Sequence, residues 1–140
     1  MSGRIAPDNY ILTQEQIDKF HKEGFTHLPN VLTEEEVKSI EQVFDSFLKQ
    51  EQGYEVPGKD FCDMSKPFGI PQDEWSIVNC MLPTTYHPEF KGNIFEKLTS
   101  IIVKQIHPDI EMSKDYDQLL NKWPGKEDAV FAWHQGEFDI

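Results

Sequence analysis

Apolar and polar positions change their period several times along this chain, and each change marks an element. Thr13-Gln14-Glu15-Gln16 has the composition of a capping box, in which the Thr13 hydroxyl accepts from the amide three residues on and Gln16 reaches back. Ile17 and Phe20 follow on one helical face, and Gly24 stops the helix. Phe25-Thr26-His27-Leu28 alternates apolar and polar, which predicts a short half-buried strand ended by Pro29-Asn30. Thr33-Glu34-Glu35-Glu36 is a second capping box. Behind it Val37, Ile40, Val43, Phe44, Phe47 and Leu48 fall at helical spacing, predicting a helix to about Gln50 that breaks near Gly53. Its acidic first turn suits the helix dipole. Residues 53–72 are punctuated by Gly and Pro and read as a long loop. Trp75 to Leu82 reads as a strand ended by Pro83. A third helix is predicted from about Pro88 to Gln105, with Phe90, Ile94, Leu98, Ile101 and Ile102 as its buried stripe. Residues 116–123 read as a strand, Pro124 to Asp128 as a turn, and Ala129 to His134 as a returning strand. The expected fold class is α+β, with helices first and the start of an antiparallel sheet after them.

At 140 residues the chain suits one small domain, and its 12% aromatic content sets it apart from disordered sequences. The formal net charge of −12 repels phosphate backbones, so nucleic acid is not an expected partner. Anionic membrane surfaces are disfavoured for the same reason. No apolar run approaches the roughly 20 residues needed to cross a bilayer, and Met1 to Pro7 lacks an apolar signal segment. Cys62 and Cys80 form neither a CxxC pair nor a zinc spacing. The expectation is a cytoplasmic protein with free thiols.

The histidines carry the candidate chemistry. His21, His27, His87 and His107 read as surface or packing residues. His134 closes the aromatic segment Phe131-Ala132-Trp133-His134-Gln135. Strand side chains at i and i+2 share a face, so a ligand His on a strand finds its partner two positions on. Non-haem iron takes two His and one carboxylate on one face of the metal, leaving positions open for a bidentate co-substrate and dioxygen.

Two stretches resemble the phytanoyl-CoA dioxygenase family of iron(II)/2-oxoglutarate-dependent oxygenases. The first is the N-terminal run Leu12-Thr13, Phe20, Gly24-Phe25, Leu28 and Val31 to Val37. The second is Asn121-Lys122-Trp123-Pro124-Gly125 followed by Ala132-Trp133-His134-Gln135, similar to the family's strand–turn–strand that delivers its first iron ligand. The resemblance implies that residues 1–140 are the N-terminal portion of such a domain, with helices packed on the first strands of a double-stranded β-helix, or jelly roll. It implies iron(II) bound by His134, with 2-oxoglutarate as co-substrate and ascorbate as accessory reductant. A small molecule would be the substrate. It associates Asn121 with 2-oxoglutarate, and Trp133 lines the site or sits in the core.

The family pattern is His-x-Asp, and here the sequence is His134-Gln135-Gly136. Glu137 would point to the opposite face of a continuing strand, and Asp139 would reach the metal only if the chain turned back. Halogenating relatives place Gly or Ala at the carboxylate position and bind chloride there, which Gly136 matches. The other reading is that residues 136–140 are an unrelated tail on a shortened product. The single arginine, Arg4, lies far from His134 in sequence, and no second ligand His follows. A shortened oxygenase is the expected reading, with a halogenase and a non-catalytic interaction protein as alternatives. A strand edge left open in such a product could pair with a second copy.

Overall fold

The computed structural model describes residues 3–130. Among them the chain is α+β, with four helices and two small antiparallel sheets. A hairpin comes first: β1 (Gly3–Ala6) pairs with β2 (Asn9–Ile11) across a turn at Pro7-Asp8. Helix α1 (Gln14–Glu23) and helix α2 (Glu34–Leu48) follow. The second sheet has the order β3-β4-β5, with β3 (Phe61–Asp63), β4 (Ile77–Met81) and β5 (Gln118–Lys122). Between β4 and β5 lie the one-turn helix α3 (Pro83–Tyr86) and α4 (Ile94–Ile106).

Both capping boxes form as the sequence predicts. The Thr13 hydroxyl accepts from Gln16 N at 3.2 Å, and the Thr33 hydroxyl accepts from Glu36 N at 3.3 Å. The reciprocal bonds from Thr13 N to Gln16 Oε1 and from Thr33 N to Glu36 Oε2 measure 3.0 and 2.8 Å. Gly24 takes the left-handed conformation at φ 79° and donates to Phe20 O, closing α1.

Three expectations are corrected. Residues 25–28 form no strand: their alternation meets no partner edge, and Phe25 stays 59% exposed. The long loop at 53–72 contains β3, because Phe61-Cys62-Asp63 finds Cys80, Asn79 and Val78 across from it. The third helix starts at Ile94 rather than Pro88. Gly92 at φ 69° interrupts it, and Asn93 caps the new start by accepting from Glu96 N at 3.1 Å. Pro88 to Phe90 forms only a tight single turn. The N-terminal hairpin is an element that the apolar pattern did not announce.

Two cores organise these elements. Tyr10 and Leu12 at the end of the hairpin pack with Leu98, Ile102 and Ile106 of α4, and Ile17 and Phe20 of α1 cover them. Gln105 reinforces the junction, donating to Tyr10 O at 2.7 Å and accepting from Leu12 N at 3.0 Å. The second core joins Phe47 of α2 to Val56, Phe61, Val78 and Cys80, with Leu119 beside them. Directly opposed residues in an antiparallel sheet share a face. The row Phe61, Cys80, Leu119 and the row Asp63, Val78, Asn121 therefore lie on the α2 side.

Among the described residues no helix is long and apolar enough to cross a membrane. Both cysteines are free thiols.

Candidate functional site

Strand β5 leads into the Pro124-Gly125 turn that the sequence singles out. Asn121 opposes Val78, half-buried on the α2 side of the sheet. Trp123 follows at the end of β5 and is partly exposed; its amide donates to Ser76 O at 3.3 Å. Gly125 takes φ 76°, a conformation that suits glycine, and Lys126 N donates back to Trp123 O at 3.4 Å.

Side chains pin this turn to the sheet. Ser76 Oγ donates to Asp128 Oδ1 at 2.8 Å, and Lys66 Nζ approaches Asp128 Oδ2 at 3.1 Å. These two donors hold the Asp128 carboxyl below its ordinary range. Asp63 organises the other side of Ser76. Its carboxylate accepts from Ser76 N at 2.5 Å, Ile77 N at 3.2 Å, and the amide and hydroxyl of Ser65, both at 2.6 Å. Burial alone would raise its pKa, but these bonds outweigh it and the net direction is down. The chain Asp63–Ser76–Asp128–Lys66 was not foreseen. One signal for it was present: Asp63-Met64-Ser65 has the composition of an Asx turn, with the carboxylate accepting from the amide two residues on.

The opposite face of the sheet carries a polar group of its own. Asn79 is buried, and Gln118 Nε2 donates to its side-chain oxygen. Gln118 also reaches Met64 Sδ at 3.6 Å. Burial pushes the Cys62 thiol up, and it pushes Cys80, on the α2 face, to about 12. Neither is set up as a nucleophile.

Three of the other histidines pack against neighbours, and His27 is exposed. His21 Nε2 donates to Ile106 O at 3.0 Å and meets His107 edge-on, joining α1 to the end of α4. His87 stacks on Tyr54 with ring centres 4.1 Å apart. Among the described residues no group of three or more His, Cys, Asp or Glu side chains is arranged to hold a metal ion. His134 and Trp133, with Gly136 and Asp139, lie outside the described residues, as does the final part of the expected returning strand. The structure therefore describes Asn121 and the turn that precedes His134, and it does not bring the candidate site residues together.

Arg4, the one arginine, sits on the N-terminal hairpin. Nε donates to Ala6 O at 2.9 Å, Nη1 to Val31 O and Glu36 Oε2 at 2.8 Å each, and Nη2 to Pro7 O and to Glu36 Oε1, the last at 2.6 Å. The hydrogen bond from Arg4 is the main reason that the Glu36 carboxyl falls to about 2, with the Thr33 amide contributing next.

Comparison with family models, with curated proteins and with solved structures finds no match to this chain.

Proposed function

We propose that this chain is the opening portion of an iron(II)/2-oxoglutarate-dependent dioxygenase of the phytanoyl-CoA dioxygenase type, acting on a small molecule. The observation that carries the reading is the strand-and-turn unit before His134. An α2-backed antiparallel sheet ends in β5, and the Pro124-Gly125 turn after it is held to Ser76 and Lys66 through Asp128. A metal ligand delivered by a strand needs such a fixed approach, because loose loops place ligands poorly. In this reading β3, β4 and β5 begin a jelly roll, His134 is its first iron ligand, and Asn121 and Trp133 stand near the co-substrate.

The described residues do not themselves make up an iron or 2-oxoglutarate site, and no chemical step is derived through either group. A lone imidazole does not retain iron(II), because useful affinity needs several convergent ligands. The activity belongs to the completed domain, and the 140-residue chain by itself is proposed to be inactive.

A chimera tests this. Residues 1–135 replace the corresponding opening part of an enzyme of this type, so that the host supplies the later strands. The expected result is 2-oxoglutarate decarboxylation that His134→Ala abolishes. A folded chimera without decarboxylation, or one indifferent to His134→Ala, overturns the reading.

A further inference from the structure

The family reading calls for a guanidinium to receive the distal carboxylate of 2-oxoglutarate, and Arg4 is the one arginine in the sequence. A guanidinium has five N–H donors in a fixed fork and no acceptor. In this fold all five directions are used. Three end on backbone carbonyls, of Ala6, Pro7 and Val31, and two form a fork onto both oxygens of Glu36. The Arg4 side chain is 15% exposed and that of Glu36 is 22% exposed.

Resting on the reading above, we infer that Arg4 is a structural clamp for the N-terminal hairpin and does not receive a dicarboxylate co-substrate. Its position explains what it does instead. Ala6 and Pro7 belong to the hairpin and its turn, Val31 to the segment before α2, and Glu36 to the capping box of α2. One side chain thereby ties three segments that share little backbone hydrogen bonding. Glu36 serves two partners at once: it caps its own helix through Thr33 N and it receives Arg4. A second carboxylate would have to displace Glu36, leaving that side chain short of its cation beside an incoming anion. The charge of −12 adds to the repulsion. Lysine is a poor substitute in the clamp, because a point ammonium cannot satisfy a planar five-donor arrangement.

The test uses the purified chain, its Arg4→Lys and Glu36→Gln variants, and millimolar disodium 2-oxoglutarate without iron. Melting temperature is read with and without the dicarboxylate. Both variants are expected to melt lower than the parent, by at least about 3 °C. Any shift caused by 2-oxoglutarate, including none, is expected to be the same in all three proteins. The inference fails if 2-oxoglutarate stabilises the parent but not a folded Arg4→Lys variant. It also fails if both substitutions leave the melting temperature unchanged. Should Arg4→Lys not fold, Glu36→Gln decides: under the clamp it melts lower with no gain of 2-oxoglutarate response, and a freed Arg4 that now responds to the dicarboxylate refutes it. Iron is absent from every arm, so failure here is separate from failure of the chimera.

Discussion

At the scale of single residues, Glu36 gives the clearest pH dependence. Its carboxyl lies at about 2 in the folded chain against an ordinary value of 4.5, because Arg4 and the Thr33 amide hydrogen-bond the charged form. A group whose folded pKa is depressed contributes stability above its unfolded pKa and loses it as pH falls toward the folded one. The melting-temperature gap between the parent and Glu36→Gln should therefore be full at neutral pH. It should shrink from about pH 4.5 downward and close near pH 2. A gap that stays constant across that range means that the ion pair does not produce it. The two thiols make a second residue-scale prediction. Cys80 is fully buried in the α2-side core with its thiol pushed to about 12, whereas Cys62 is partly accessible. Ellman's reagent should titrate roughly one thiol per native chain, slowly, and roughly two in denaturant. Equal native reactivity of both cysteines would contradict the packing around Cys80.

At the scale of elements, the same capping chemistry should have different consequences in α1 and α4. The α1 helix has no fully buried residue; it lies on its core through the half-buried Ile17 and Phe20. The α4 helix buries Leu98, Ile102 and Ile106. Removing a cap costs about 1 kcal/mol in either case. In α1 that loss should appear as local opening, with faster amide exchange over residues 14–23 and little change in global unfolding. In α4 the Asn93→Ala substitution should lower global stability by about 1 kcal/mol in urea unfolding, because that helix does not open without breaking the core. Caps were legible in the sequence because their bonds span three residues. The break at Gly92 was not: the apolar pattern runs back to Phe90 and starts the helix at Pro88, whereas in the fold Gly92 interrupts it and Asn93 caps the start at Ile94.

At the scale of the whole molecule, the two cores share no residue. Ile102→Val in the first should cost about 1 kcal/mol and Val78→Ala in the second about 1–3 kcal/mol. If the cores are energetically separate, the double variant should match the sum within about 0.5 kcal/mol by urea denaturation. A larger discrepancy would show that the sheet and the α1–α4 unit repack together. The connections between them include the Arg4 clamp at one end of α2 and a cluster at the other end of the chain. There Lys114 bridges Glu96 of α4 to Asp117, and Asp117 accepts from the amide and hydroxyl of Thr84 in α3.

Local physics determined much of what the sequence disclosed by itself. Two capping boxes, a glycine stop, the apolar face of α2 and the strands around Ile77–Met81 and Gln118–Lys122 all follow from spacing and from side-chain bonds across a few residues. The proposal of an iron ligand at His134 has a different basis, the resemblance of its segment to a known family, and that residue lies outside the described part of the chain. Tertiary structure alone decided which segments pair. Residues 25–28 alternate like a strand yet find no edge, while Phe61-Cys62-Asp63 becomes one because β4 lies alongside. It alone recruited Asp63, Ser76, Asp128 and Lys66, spread over 66 residues of chain, to hold one turn. It also turned Arg4 from a remote arginine into a saturated clamp. The reason is the same each time: a strand edge or a guanidinium is defined by partners distant in sequence, and only the folded chain brings those partners together.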